Sequence, residues 1–303
     1  MGSKKHSDAV VGCLCALGCE ALFGLSYVFT KQATGVASAF ALLGWRFLIA
    51  FAAMTVLVCI RVVKVDFKGK SLQPLLLVAL FSPCLYFIGE TVGISHTTAS
   101  ESGVFLACIP VASLVASALL LKKRPTRLQV TGILITLVGV LATVFAVGSS
   151  SSLSPVGYGF LLLAVASYAL YTVSVDRAED FSGMEITFAM LASGAAVFVT
   201  LALAEGAADG TLRELVTLPF RSPSFAVAAI YQGVGCSVAA FFLSNVAIAR
   251  IGVNRTVSFI GVATVVSIAA GTLLLGEPFT VWQAVGATVI VAGVCTANAG
   301  TGA

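Results

Sequence analysis

The chain has 303 residues, of which 59% are hydrophobic and only 10% are charged, and its formal net charge is +4. Soluble domains carry about 25% charged residues, so a soluble protein of this composition could not cover its surface. The mean hydropathy of +1.06 also excludes a disordered chain. The composition therefore predicts an integral membrane protein.

A membrane-spanning helix needs about 20 predominantly apolar residues. The sequence contains ten such stretches, which in chain order are 10–30, 38–60, 72–94, 100–121, 128–147, 156–175, 183–204, 224–248, 254–275 and 279–298. They predict an all-α integral membrane fold with ten transmembrane helices. Pro83 and Pro110 fall inside two of these stretches and are expected to kink them.

Basic residues mark the orientation, because Lys and Arg concentrate in cytoplasmic loops. With the N-terminus inside, one side of the membrane collects Lys4, Lys5, Arg61, Lys64, Lys68, Lys70, Lys122, Lys123, Arg124, Arg127, Arg177, Arg250 and Arg255. The other side collects Lys31, Arg213 and Arg221. We therefore expect a multi-pass protein of the cell (plasma or inner) membrane with both termini in the cytoplasm. The basic loops are expected to contact membrane lipid, and no nucleic-acid partner is expected.

The second half of the sequence repeats the first. A shift of 154 residues aligns Gln129 with Gln283, Gly132 with Gly286 and Gly139 with Gly293, and a shift of 145 aligns Gly12 with Gly157 and Leu25 with Leu170. We predict a first repeat at 1–148, a linker at 149–152 and a second repeat at 153–303. Since five spans are an odd number, the second repeat is inverted. In transporters built this way, the substrate binds near the bilayer midplane between the repeats.

Enzyme and cofactor motifs are absent from the sequence. The eight cysteines form no CxxC or Cys/His cluster, so we expect neither a metal site nor a cofactor. No HExxH, GxSxG or Walker-type phosphate loop occurs, so no catalytic residues are expected and ATP-driven transport by this chain is disfavoured.

Three charged residues fall inside the predicted spans, namely Glu20, Arg46 and Glu90. A charge at mid-span costs about 2.5–3.5 kcal/mol on insertion scales, so such residues normally pair or face an aqueous cavity. Glu20 is a candidate proton-coupling carboxyl. Arg46 either anchors a substrate carboxylate or forms a structural ion pair with one of the two glutamates, and the sequence leaves both alternatives open.

Polar residues at membrane depth are further candidates for the substrate pathway. They are Tyr27, Tyr86, Tyr168, Tyr171, Tyr231 and Asn245. A tyrosine offers a ring for stacking and a hydroxyl for hydrogen bonding. Structural packing is an equally good interpretation of each tyrosine.

Several short motifs resemble the EamA family of the drug/metabolite transporter superfamily. They are Phe23-Gly24-Leu25-Ser26 followed by Lys31, Arg46-Phe47 followed by Ala50, and Leu275-Gly276-Glu277-Pro278 followed by Gln283 and Gly286. The resemblance implies a ten-helix carrier of small metabolites, often amino acids or related compounds, and frequently in the outward direction. The first repeat departs from the family pattern at 121–125.

The leading hypothesis is therefore a secondary active exporter of amino acids or related metabolites that works by alternating access. Competition between a proton and the substrate at Glu20 would give antiport. The alternative is a sugar-phosphate or nucleotide-sugar exchanger, and a membrane-embedded enzyme or lipid-handling protein is a more distant one. Either a monomer or a homodimer is compatible with the sequence.

Overall fold

The computed structural model describes residues 2–96, 105–106, 108–145, 154–275 and 281–299. These residues are mostly helical and contain no strand. In chain order the helices are α1 Gly2–Thr34, α2 Ala39–Cys59, α3 Gln73–Ala79, α4 Tyr86–Ser95, α5 Ile109–Leu120, α6 Arg127–Phe145, α7 Pro155–Arg177, α8 Gly183–Ala208, α9 Leu212–Arg221, α10 Pro223–Ile230, α11 Phe241–Ile251, α12 Val253–Val257, α13 Ile260–Leu275 and α14 Val281–Asn298. Two π-helical segments, π1 (Leu80–Leu85) and π2 (Tyr231–Ala240), join α3 to α4 and α10 to α11.

The described part of each of the ten predicted apolar stretches is largely helical. Eight helical runs in the described residues are long and apolar enough to cross a membrane, and the apolar helices Ile109–Leu120 and Arg127–Ala142 are shorter. The shorter two fall in the predicted fourth and fifth spans. The segment 97–104, which includes the start of the predicted fourth span, and the predicted linker 149–152 lie outside the described residues. The ten-helix architecture predicted from composition is therefore confirmed.

Serine residues start several of the spans. The side chains of Ser38, Ser154 and Ser222 accept a backbone N–H at the beginning of α2, α7 and α10, which satisfies donors that have no partner within a helix. Proline follows at the first helical position of α7 and of α10, where its missing N–H costs nothing. Helix α8 begins with a reciprocal capping box between Ser182 and Glu185.

The two halves interlock instead of folding side by side. Helices α2 and α8, which are repeat-related, pack against each other, and so do α6 and α14. The third span packs on the sixth (α4 on α7), and its repeat equivalent, the eighth span, packs on the first (α11 on α1). In the same way the fourth span packs on the sixth (α5 on α7), and the ninth packs on the first (α13 on α1). Each of these contacts has an equivalent in which the first and second halves change places. This is the pattern expected of two inverted five-helix units.

Small residues allow α6 and α14 to approach closely. A Cβ atom on Gly139 would lie 2.8 Å from the backbone nitrogen of Ile290 and 2.9 Å from the carbonyl oxygen of Gly286. A Cβ atom on Gly132 would lie 2.5 Å from the carbonyl oxygen of Gly293, and one on Gly293 would lie 2.7 Å from that of Gly132. These backbones therefore touch where glycine supplies no side chain, as small residues allow in membrane helix pairs.

The third and eighth spans are both irregular near their middle. Segment π1 contains Ser82 in an extended conformation, beside the predicted kink at Pro83. The other predicted kink is not a mid-helix one, because Pro110 lies in the first turn of α5. A shift of 154 residues carries 80–85 onto 234–239, which is inside π2. Both repeats therefore interrupt the same span at the same level.

Helix α9 corrects an expectation of the sequence analysis, which assigned 205–223 to a connecting segment. In this ten-residue helix the apolar residues lie on one side and the polar residues on the opposite side. Leu218 packs against the protein, whereas Val216 and Phe220 are exposed, Phe220 to 85%. A helix with one apolar side facing outward and a polar side suits the membrane–water interface.

Candidate functional site

Arg46 on α2 is buried at the interface between the two halves, with 5% of its surface exposed. Its Nε donates a hydrogen bond to Ser237 Oγ at 2.7 Å, and its Nη1 donates to Gln232 Oε1 at 3.4 Å. Its Nη2 is buried without a hydrogen-bond partner among the described residues. A buried polar donor is costly to leave unpaired.

The winding of π2 explains why Ser237 and Gln232 both reach Arg46. In an α-helix, residues five apart point about 140° away from each other. In a π-helix, backbone bonding joins residues five apart, so Gln232 and Ser237 share one face. Gly233 lets that face approach α2, since a Cβ atom there would lie 2.9 Å from the carbonyl oxygen of Arg46.

Aromatic rings cover the guanidinium. The Arg46 Cζ lies 4.7 Å from the ring centroid of Phe87 and 5.4 Å from that of Phe47. Phe47 also stacks on Phe198, with 5.1 Å between centroids. Rings in these positions stabilise a cation without neutralising it.

Glu90 lies close to this cation but does not pair with it. The hydroxyl of Tyr86 donates to Glu90 Oε1 at 2.8 Å, and Glu90 and Arg46 interact electrostatically. Among the described residues, neither Glu20 nor Glu90 forms an ion pair with Arg46. The structural ion pair, one of the two alternatives that the sequence leaves open for Arg46, is therefore absent from this conformation.

Glu20 is a buried carboxyl on α1, with 6% of its surface exposed. Among the described residues its hydrogen bonding is limited to the thiol of Cys19, whose Sγ lies 4.0 Å from Oε1. The side chains of Tyr168 and Tyr171 lie within its electrostatic range. Glu20 therefore interacts electrostatically with tyrosines of the second half, and no described Lys or Arg forms an ion pair with it.

Three tyrosines form a continuous row of rings. Tyr86 contacts Tyr168, and Tyr168 contacts Tyr171, with 5.4 Å between centroids in each pair. The hydroxyl of Tyr171 donates to Asn245 Oδ1 at 2.9 Å, and Asn245 Nδ2 donates to Thr187 Oγ1 at 3.0 Å. The row therefore links the surroundings of Glu90 to a buried amide on α11.

The remaining predicted tyrosines lie on either side of the contact between α1 and π2. Tyr231 donates to the carbonyl oxygen of Leu22 at 2.9 Å and stacks on Phe29 with 4.3 Å between centroids. Tyr231 therefore has a clear packing role. Tyr27 belongs to α1, and its side chain lies outside the described part of the structure.

Sequence reasoning missed Gln232 and Ser237, although both contact the guanidinium. Gln232 also donates through Nε2 to Thr30 Oγ1 at 2.9 Å, which ties π2 to α1. Gln232 could have been predicted as a site residue in the same way as Asn245, because each is an amide side chain within an apolar span. Nothing comparable distinguishes Ser237, because buried serine is common in such helices.

These polar residues pack closely in this conformation. Two shallow apolar grooves lie on the helix bundle, one between α13 and α14 and the other between α6 and α14. None of the candidate site residues lines them. The polar cluster is thus closed off from both grooves.

Known proteins resemble this chain over nearly its whole length. The model of the EamA-like transporter family matches residues 10–145 and 155–299. An uncharacterized transporter of Bacillus subtilis (strain 168), YcxC, is 35% identical over 279 residues, which cover 91% of this chain and 89% of the relative. A second one from the same organism, YetK, is 26% identical and covers 96% and 87%.

The fold has a counterpart among solved structures. One described only as "crystal structure of protein" shares 18% identity and a TM-score of 0.75, and the match covers 97% of this chain and 96% of the other. That likeness concerns the fold alone. Since the family model matches both halves, the chain belongs to the EamA-like transporter family.

Proposed function

We propose that the protein is a secondary active transporter that exports amino acids or related small metabolites by alternating access, in exchange for protons. The observation that carries this proposal is the free Nη2 of Arg46, which is buried between the halves. A guanidinium binds carboxylates through charge-assisted hydrogen bonds. A substrate carboxylate would supply the missing acceptor, and the surrounding rings would exclude water. The outward direction is supported by the family resemblance alone.

Glu20 supplies the proposed exchange site for protons. An isolated charge at this depth is expensive, and among the described residues no cation pairs with Glu20. The carboxyl therefore holds either a proton or a cationic group of the substrate, such as an ammonium. Since one site cannot hold both, proton and substrate would cross the membrane in opposite directions.

A phosphorylated substrate is less well supported. Phosphate recognition uses several cationic or N–H donors, whereas Arg46 is the single buried Lys or Arg among the described residues. This observation favours a carboxylate over a sugar phosphate. The proposal includes a location in the cell membrane with both termini in the cytoplasm, as the basic loops predict.

The test is transport by protein reconstituted in liposomes under an imposed pH gradient, after a thermal-shift screen of amino acids, amines and sugar phosphates has identified a ligand. We expect the wild type to exchange the amino acid for protons, and to transport its amide at least about tenfold more slowly, because the amide offers no anionic oxygen to Arg46. Arg46→Met should lose this preference. Glu20→Gln should lose the dependence on the pH gradient.

Exposed charges provide matched controls. Arg213→Gln and Glu214→Gln, both at exposed positions of α9, remove the same charges outside the cluster and should transport as the wild type does. Equal transport of acid and amide by the wild type would exclude the carboxylate anchor. An unchanged pH dependence in Glu20→Gln would remove Glu20 from the coupling mechanism.

A further inference from the structure

Three ion pairs join the two halves at one end of the helix bundle. Each pairs a residue of the first half with one of the second, and they are Lys70–Glu185 at 2.9 Å, Lys123–Asp176 at 2.6 Å and Asp8–Arg250. Because the spans alternate in direction, all three lie at the end where α1 begins, which the basic loops predict to be cytoplasmic. These are all the ion pairs formed between described residues.

Solvent exposure separates the three pairs. Arg250 and Asp8 are 41% and 48% exposed, and Lys123 is 53% exposed. Such pairs contribute little, since solvent and salt screen them. Lys70 and Glu185 are only 27% and 7% exposed. Asp176, the partner of Lys123, is 10% exposed, so Lys70–Glu185 is the pair in which both partners together are shielded most from solvent.

Glu185 is the centre of a network of four hydrogen bonds. Lys70 Nζ donates to both carboxylate oxygens at 2.9 Å, the backbone N–H of Asp66 donates to Oε1 at 3.0 Å, and that of Ser182 donates to Oε2 at 2.7 Å. Lys70 also lies 5.1 Å from the ring centroid of Phe181. The network therefore fastens the loop between α2 and α3 to the first turn of α8.

We propose that this Glu185 network is a latch that holds the cytoplasmic end closed and that must release when the interior opens to the cytoplasm. Helix α8 packs along α2, which carries Arg46, so separation at this end would expose the polar cluster from that side. The inference rests on the alternating access of the proposed function.

Contacts also join the two halves at the opposite end, where Ser38 Oγ donates a hydrogen bond to the carboxylate of Glu205. Trp45 Nε1 on α2 also donates a hydrogen bond to the carbonyl oxygen of Leu215 on α9 at 2.9 Å. Contacts between the halves are therefore formed at both ends in this conformation, and a carrier that opens to one side must release the contacts at that end.

A buried thiol provides a reporter for opening. Cys236 lies in π2 next to Ser237 and is fully buried, so it should react slowly with a charged, membrane-impermeant thiol reagent. The test uses protein in liposomes with Cys236 kept and the seven other cysteines replaced by serine. The reagent is added to one side at a time, and the rate of modification is measured.

We expect Glu185→Gln and Lys70→Gln to raise the modification rate from the N-terminal side by about tenfold, as the loss of one partner of a charged hydrogen-bond network implies. The rate from the other side should not rise. Lys70→Gln leaves the capping box of α8 intact, so it tests the latch even if Glu185→Gln does not fold. Lys68→Gln, on the same loop and without an ion pair to any described residue, should match the parent.

The latch proposal is overturned if Lys70→Gln leaves the rate unchanged, or raises it equally from both sides. The measurement is made without substrate. A failed transport assay would therefore argue against the proposed substrate and coupling, while the modification rates report on the latch separately.

Discussion

Two regions join the halves of this protein. In one the halves supply identical residues, and in the other they supply different ones. At the α6–α14 interface both halves supply the same residue at equivalent positions, since Gly132 corresponds to Gly286 and Gly139 to Gly293. In the polar cluster the charges all come from the first half. A shift of 145 residues places Val165 at the position of Glu20 and Leu191 at that of Arg46.

The difference separates packing from chemistry. Close packing across a two-fold axis makes the same demand on both helices, so small residues are needed in each. A buried charge requires different residues from the two halves, because the half that faces the charge must supply polar groups that stabilise it. Here the second half supplies neutral partners such as Ser237 and Gln232, which solvate Arg46 without neutralising it.

The largest loss of stability is expected at the glycine interface. In Gly293→Ala the added methyl group would collide with the side chain and backbone of Thr136 and with the carbonyl oxygen of Gly132. Overpacking against backbone should lower the free energy of unfolding by about 1–3 kcal/mol. In Gly159→Ala, on α7, the new Cβ meets nothing within 4 Å, and stability should rise by about 0.5–1 kcal/mol. Thermal unfolding in detergent compares the two, and equal midpoints would contradict the packing argument.

An intermediate effect is expected for Tyr171→Phe in the polar cluster. The substitution removes the hydrogen bond to Asn245 Oδ1 at 2.9 Å, and interhelical bonds in membranes are worth about 0.6 kcal/mol on average and up to about 1.7. Tyr231→Phe should cost less, because the thiol of Cys236 also donates to the carbonyl oxygen of Leu22. The same unfolding assay compares the stability losses of the two variants. A larger loss for Tyr231→Phe than for Tyr171→Phe would show that Asn245 finds another donor.

The smallest effect on stability is expected for Arg46→Met. The cost of burying the guanidinium offsets its hydrogen bonds, so the free energy of unfolding should change by less than about 1 kcal/mol. Ligand-induced stabilisation should nevertheless disappear. A loss of several kcal/mol without ligand would instead identify Arg46 as a structural lock.

Sequence reasoning recovered the spans because length and apolarity alone define them. It recovered the inverted repeat because Gln129 and the spaced glycines recur in one register. Helix α9 was missed because its mixed composition looks like a polar connection unless its 3.6-residue period is counted. The partners of Arg46 could not be predicted from the sequence. Gln232 and Ser237 share a face only because π2 is wound as a π-helix, and no local sequence pattern indicates that winding. The roles of the nine candidate residues remain predictions.

The interlocked packing has a consequence for biosynthesis. Helix α6 is inserted while most of the second half is still unmade, yet its main contact is with α14, the last of the described helices. Until α14 arrives, the glycine face of α6 has only lipid or the insertion machinery to cover it. We therefore expect the ten spans to assemble late and together, and the first half expressed by itself to be a target for membrane quality control.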